Sequence, residues 1–184
     1  GNDALFSTTG TIGTAATATA AATIATITGT SVAGDVLTGG AGSDSFAIGH
    51  IAAAIPATIT NAELVAGVSS ITDLNLGTNV ATGAVDGLWF QAATPATAVS
   101  IVSLTAAQQT AVTAATDLLT AVNLVLGAAN GVNNVAQFTY GADTYVVTNG
   151  DGATTAAFTA AQDNLIKITG VTGVLDASDI HLVA

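Results

Sequence analysis

Apolar and polar residues alternate over short runs along most of this chain, and the runs end at glycine, asparagine or aspartate. Residues 23–28, 88–91 and 165–169 have this pattern, which is typical of short, half-buried β-strands. Around the turn at Gly141, the flanking residues 138–140 and 145–147 predict a β-hairpin. The pattern therefore predicts a mainly β protein.

One segment, residues 105–129, has helical periodicity instead. Thr105 and Gln108 fit a capping box, in which the two side chains satisfy free amides of the first turn. Apolar residues then recur at steps of three and four, up to a stop at Gly127 or at Asn130. We expect one long helix that covers a sheet face. Residues 61–68 are a second, shorter candidate for a helix or turn.

The charge balance of the chain excludes some classes of function and favours others. Twelve acidic residues face one basic residue, Lys167, for a net charge of −11 over 184 residues. Nucleic-acid binding rests on Lys and Arg contacts with phosphates, so this class is excluded. The acidic excess favours cations instead, and ligands that offer only oxygen suit a hard ion such as calcium.

Residue types and segments that the chain lacks exclude further classes of site and function. The chain has no cysteine, and so neither disulfides nor cysteine-based zinc sites. Its longest apolar stretch, residues 118–129, is interrupted by Thr120 and Asn123 and is too short for a membrane span, so we expect no membrane insertion. No common catalytic motif occurs, and we expect no enzymatic activity. His50 and His181 are predicted at the surface or at sheet edges, and Trp89 is predicted to pack rather than to bind sugars.

Residues 39–47 match the nonapeptide G-G-x-G-x-D-x-U-x, with Asp44 at the acidic position and Phe46 as the large apolar residue. The glycines permit a tight turn that brings carbonyl oxygens towards an ion, and the last three residues form a short strand of a parallel β-roll. Asp35 and Leu37 occupy the same two positions one repeat earlier. The positions two repeats from Asp44 carry no acid, so the array is too short for a full ladder of ions. The alternative interpretation is a glycine-rich turn with a solvated aspartate.

The nonapeptide is followed by Ile71-Thr72-Asp73-Leu74 and by Val85-Asp86-Gly87-Leu88. Together these segments resemble the calcium-binding (RTX) C-terminal regions of proteins exported by bacterial type I secretion. Residues 104–118, 137–147 and 165–171 resemble the last module of S-layer-like and adhesin-like members of that group. The resemblance implies an extracellular protein that folds on meeting calcium after it has passed the exporter. It also implies a set of Ca²⁺-binding residues: Asp35, Gly40, Gly42, Asp44, Asp73 and Asp86.

We therefore expect a mainly β fold, with a short parallel β-roll or β-helix followed by a β-sheet module under one long α-helix. The expected division is a β-roll-like segment over residues 1–60 and a C-terminal module over residues 61–184. The leading hypothesis is a secreted structural protein of the bacterial surface that calcium stabilises and that forms homo-oligomers or polymers, as an S-layer, matrix or filament subunit. Two alternatives remain: a C-terminal secretion and folding module of a larger exported enzyme or adhesin, and an extracellular glycan-binding module.

Overall fold

The computed structural model describes residues 1–17, 20–55, 58–77, 85–92, 99–152 and 157–184, and in these ranges the protein is mainly β. The strands are β1 (Ala4–Phe6), β2 (Thr9–Thr14), β3 (Thr23–Thr28), β4 (Thr30–Ser31), β5 (Val36–Leu37), β6 (Ser45–Ile48), β7 (His50–Ile51), β8 (Ser69–Ile71), β9 (Leu74–Asn75), β10 (Gly87–Gln91), β11 (Ser100–Val102), β12 (Asn134–Tyr140), β13 (Asp143–Asn149), β14 (Asn164–Ile168), β15 (Val171–Thr172) and β16 (Ile180–Val183). The helices are α1 (Asn61–Gly67), α2 (Ala106–Thr113) and α3 (Leu118–Ala128), with a 3-10 turn at Ala177–Asp179.

Two larger sheets organise the molecule. The four-stranded sheet has the order β1-β6-β10-β16, and every pair in it is parallel. The six-stranded sheet has the order β11-β12-β13-β14-β8-β5; its pairs are parallel except for β12 with β13 and β13 with β14. The chain passes three times from the six-stranded to the four-stranded sheet: from β5 to β6, from β8 to β10 and from β14 to β16. We call the four-stranded sheet together with β5, β8 and β14 the parallel stack.

The elements pack in four layers because the strands alternate their side chains between two faces. Between the sheets lies one apolar core, to which Phe46, Leu88 and Phe90 contribute from the four-stranded sheet. The opposite face of the six-stranded sheet packs under the helical layer, α1 to α3, with Phe138 and Val125 in that second core. On the outer face of the four-stranded sheet, Trp89 and Ala47 pack against β3.

Several predicted elements are confirmed. Strands cover residues 23–28, 87–91 and 164–168, a hairpin turns at Gly141 and Ala142, and α1 occupies residues 61–67. The sequence Gly77-Thr78-Asn79 predicts a further turn, of which Thr78 and Asn79 lie outside the described residues. Both larger sheets combine strands from residues 1–60 with strands from residues 61–184.

The prediction of one long helix over residues 105–129 is wrong. The capping box at Thr105 and Gln108 is present and starts α2, but α2 ends at Thr113. A second helix, α3, then starts at Leu118, because the Asp117 carboxylate accepts a hydrogen bond from the Thr120 amide and acts as a new N-cap.

Candidate functional site

Three aspartates stand in line at the amino ends of strands in the four-stranded sheet. The register pairs Ala4 with Ser45 and Ser45 with Gly87, so the preceding residues Asp3, Asp44 and Asp86 are neighbours across the strands. Two of the three carboxylates accept from the backbone of the neighbouring strand. The Asp3 amide donates to Oδ1 of Asp44 over 2.7 Å, and the Asp44 amide donates to Oδ1 of Asp86 over 2.8 Å.

Asp44 is the most deeply placed of these carboxylates. Its exposed fraction is 0%, so the alternative interpretation of a solvated aspartate is wrong. Within the described part of the chain, its Oδ2 is buried without a hydrogen-bond partner. Burial raises the pKa of Asp44, and the negative charges of Asp3 and Asp73 act in the same direction against the stabilising amide of Asp3. A deprotonated Asp44 is therefore held in a costly environment.

Asp86 is buried as well, with an exposed fraction of 4%. Burial raises its pKa to about 6, although the amides of Asn75 and Asp44 donate to its two oxygens over 2.8 Å each. The neighbouring charges of Asp44 and Asp73 add to the rise. The described residues bring no Lys or Arg to offset these charges, since Lys167 pairs with Asp143.

Asp73 connects this line of carboxylates to the glycine-rich turn. Its two oxygens accept from the amides of Gly39 and Gly40 over 3.0 and 2.7 Å. A Cβ added to Gly39 would lie 2.5 Å from Oδ2 of Asp44, so the turn packs directly on that oxygen. Gly40 has a φ of +83°, a conformation that glycine adopts without strain. The turn, Asp44 and Asp73 therefore form one polar corner of the parallel stack.

The structure brings together most of the predicted calcium residues, with one addition and one exception. Asp44, Asp73 and Asp86 interact electrostatically, and the turn with Gly40 and Gly42 adjoins them. Asp35 is exposed, its backbone amide donates to Ser69, and its carboxylate is not among the charges that act on Asp44 or Asp86. Asp3 was not predicted as a site residue, although Asp3-Ala4-Leu5 repeats the spacing of Asp44-Ser45-Phe46.

The described side chains form no ready-made metal site. Within residues 1–17, 20–55, 58–77, 85–92, 99–152 and 157–184, no three His, Cys, Asp or Glu side chains are grouped so that they could hold an ion. The carboxylates of Asp44, Asp73 and Asp86 accept backbone amides instead. Any ion at this corner would need backbone oxygens or a rearrangement of these hydrogen bonds.

A cleft of about 310 Å³ opens beside this corner, on the outer side of the four-stranded sheet. Its walls include Asp86, Trp89, Asp179 and His181. Trp89 and His181 are adjacent across β10 and β16, and their rings stack with centroids 4.1 Å apart. Burial raises the pKa of Asp179 and lowers the pKa of His181. The prediction that Trp89 packs is confirmed.

Comparisons with known proteins identify no relative. No protein-family model, curated protein or solved structure matches the chain. The geometry of the site therefore carries the functional argument.

His50 is buried, with an exposed fraction of 6%, so it is not at the surface; it lies on β7, an edge strand of a two-stranded sheet, as the alternative half of the prediction has it. None of the helices in the described ranges has the length and apolar character needed to cross a membrane.

Proposed function

We propose that this chain is a secreted, calcium-stabilised structural protein of a bacterial surface that associates with copies of itself. The observation that carries the proposal is the buried Asp44 Oδ2, which faces the Gly39 turn without a hydrogen-bond partner among the described residues. A buried, unpaired carboxylate oxygen is costly unless a cation or donor reaches it.

Calcium fits this corner better than softer ions. The available ligand atoms are carboxylate and carbonyl oxygens, and calcium accepts a flexible shell of such oxygens. Asp44 and Asp73 would supply side-chain oxygens, and the turn through Gly40 and Gly42 would supply backbone carbonyls. An ion there would neutralise the charges that raise the pKa values of Asp44 and Asp86. Because binding needs the folded arrangement, the binding free energy would stabilise the fold.

The strand order supports a short β-roll as the frame of this corner. The chain alternates between two sheets whose strands are parallel throughout the stack. Side chains at matching positions line up from one coil to the next, as in the hydroxyl contact of 2.7 Å between Thr38 and Thr72. Such a frame repeats one carboxylate-lined corner at successive levels.

Self-association is supported by the direction of the sheet edges. In the six-stranded sheet, the edge strands β5 and β11 run in the same direction, because two antiparallel steps separate them. The edge strands β1 and β16 of the four-stranded sheet are also parallel to each other. A copy related by translation would therefore present β11 to β5 in parallel orientation, and Val36 on β5 is 70% exposed there.

Calcium dependence is tested by thermal unfolding in saturating calcium and in chelator. We expect the midpoint of the wild-type chain to rise by about 5–10 °C with calcium, the shift that corresponds to a ligand near one hundred times its dissociation constant. The Asp44→Asn variant keeps the shape of the side chain, and we expect it to lose most of this shift. Asp35→Asn is the matched control and should keep the wild-type shift.

Two results would contradict the calcium proposal. One is a wild-type midpoint that does not change between calcium and chelator. The other is an equal loss of the shift in Asp44→Asn and Asp35→Asn, which would mean that only the net charge matters. Light scattering in millimolar calcium tests assembly separately, and a monomer at all protein concentrations would contradict self-association while leaving the calcium site intact.

A further inference from the structure

The cleft beside Trp89 lies between two parts of the chain that are distant in sequence. Ala21, Ala22 and Thr23 form one wall, and the starts of β10 and β16 form the other. Its volume of about 310 Å³ lies at the lower end of the range for small-molecule sites. The cleft is therefore large enough for one ligand of monosaccharide size.

Polar groups converge on this space without partners in the described chain. Oδ2 of Asp179 accepts from the Asp176 amide over 2.8 Å, whereas Oδ1 of the same residue has no hydrogen bond there, although Asp179 is only 4% exposed. In the same described ranges, neither Nε1 of Trp89 nor the ring nitrogens of His181 form a hydrogen bond. These groups offer an acceptor, a donor and a neutral imidazole to a ligand.

Gly87 keeps the space between these groups open. A Cβ added there would lie 3.2 Å from Nε1 of Trp89 and 3.6 Å from Nε2 of His181. The three atoms nearest to that position all belong to the side chains of Trp89 and His181. An alanine there would press on the Trp89 and His181 side chains inside the cleft.

The acidic lining of the cleft favours one sign of charge on a ligand. Asp86 and Asp179 line it, Asp176 adjoins Asp179, and the lining includes neither Lys nor Arg. Burial lowers the pKa of His181, so its imidazole is neutral near pH 7. Charge complementarity therefore favours a cation.

The stacking of Trp89 on His181 limits how the indole can contact a ligand. One face of Trp89 is stacked on His181, so that face is closed to a sugar ring, and the indole presents its N–H edge at Gly87. A hydroxyl or ether oxygen is the natural acceptor for that N–H. The ligand would then carry both a positive charge and hydroxyl groups.

We propose that this cleft binds a small organic cation with an ammonium group and hydroxyl groups, of the amino-sugar class. The ammonium group donates to Oδ1 of Asp179, and a hydroxyl oxygen accepts from Nε1 of Trp89. This site is separate from the proposed calcium corner in its essential residues, since Asp179, Trp89 and His181 belong only to the cleft.

The single tryptophan of the chain makes the test direct. Trp89 fluorescence is titrated with D-glucosamine, and in parallel with D-glucose, which replaces the ammonium group by a hydroxyl. We expect a saturable change with D-glucosamine and binding of D-glucose at least about tenfold weaker, because a charge-assisted hydrogen bond is lost. Free N-acetyltryptophanamide corrects for direct quenching by the amine.

Two variants locate the site. Gly87→Ala should abolish the saturable change while the thermal midpoint stays near the wild-type value. Asp179→Asn keeps an oxygen for the Asp176 amide but loses the charge, and we expect D-glucosamine to bind about tenfold more weakly. Asp35→Asn is the control and should bind as the wild type does.

Some results would overturn this proposal. Equal binding of D-glucose and D-glucosamine would exclude a cation site, undiminished binding by Gly87→Ala would place the ligand elsewhere, and a linear fluorescence response would mean no site at all. Titrations with folded protein in calcium and with the Asp44→Asn variant separate the two proposals. A failed calcium site leaves the fluorescence response in place, and a failed cleft leaves the calcium shift in place.

Discussion

The parallel stack and the helical layer use carboxylates for the same local task in opposite surroundings. In the helical layer, the carboxylates of Asp117 and Glu63 accept backbone amides at helix starts. Both residues are partly exposed to solvent, and hydrogen bonding lowers both pKa values. In the stack, Asp44 and Asp86 also accept backbone amides, yet their pKa values are raised. The difference is burial, which outweighs the same kind of hydrogen bond.

This contrast separates the parts of the protein that depend on solution conditions from those that do not. The core under the helices consists of apolar side chains such as Phe138, Val125 and Leu126, whose burial does not depend on pH or cations. The corner of the stack combines apolar strands with charges that need neutralising. We therefore expect the stability of the core under the helices to be the same at different pH values and calcium concentrations. The stability of the parallel stack should depend on both.

The largest expected effect comes from the helical side. Phe138 is 2% exposed and stacks on Tyr145 with ring centroids 5.4 Å apart. Phe138→Ala should lower the free energy of unfolding by about 3–5 kcal/mol, through lost burial and a cavity. Urea unfolding measures this loss, which should be equal in calcium and in chelator. Leu124→Ala is the control, because this side chain on α3 is 43% exposed and its removal should cost little. A calcium-dependent loss in Phe138→Ala would contradict the separation of the two regions.

An intermediate effect is expected from pH without calcium. The folded-state pKa values of Asp86 and Asp163 are both about 6, against 3.8 for the unconstrained side chain, so the folded chain holds more protons between these values. Its stability is then highest near the lower value and falls as pH rises through about 6, by roughly 1–3 kcal/mol. Urea unfolding in chelator between these pH values measures the fall.

One variant and the addition of calcium separate the contributions of Asp86 and Asp163 to this pH dependence. Asp163 accepts from the amides of Gly150 and Thr159 outside the calcium corner, so its share should persist in calcium. Asp86→Asn should remove the other share, which calcium is expected to reduce in the wild type. A stability that rises steadily with pH over this range would contradict the burial argument for both groups.

The smallest expected effect is at the start of α2. The Thr105 hydroxyl accepts from the Gln108 amide, and the Gln108 side chain accepts from the Thr105 amide. Thr105→Ala should lower the free energy of unfolding by about 1 kcal/mol at any pH and calcium concentration. Thr113→Ala on the same helix is the control, because its hydroxyl bonds to Gln109 within the helix, donating to the backbone carbonyl and accepting from the side-chain amide, and caps no helix start. An equal loss in both variants would mean that the cap contributes nothing specific.

Local patterns predicted much of the fold but not its assembly into layers. The strand at residues 164–168 and the hairpin at Gly141 followed from alternation and turn residues. The break between α2 and α3 was missed because the apolar periodicity runs through it, although Asp117 is a strong N-cap residue. The pairing of β10 with β16 could not be predicted, since it depends on contacts between distant parts of the chain.

The candidate site was predicted in part for the same reason. The nonapeptide gave Asp44 and its turn, because glycine and aspartate at fixed spacing have a local meaning. The contact of Asp73 with Gly39 and Gly40 comes from strand register, which is set by the fold as a whole. The cleft had no local signal at all, since Trp89 and His181 are neighbours only through the pairing of β10 with β16.

The place of β16 at one edge of the four-stranded sheet has a consequence for how the chain folds. Leu88 and Phe90 on β10 are completely buried. β6 pairs with one edge of β10, and β16 pairs with the other edge. That strand is formed by residues 180–183, close to the last residue described, while its partner ends at residue 91. Closure of a loop this long slows the search for the native state. One edge of β10 therefore stays unpaired during folding until residues 180–183 pair with it.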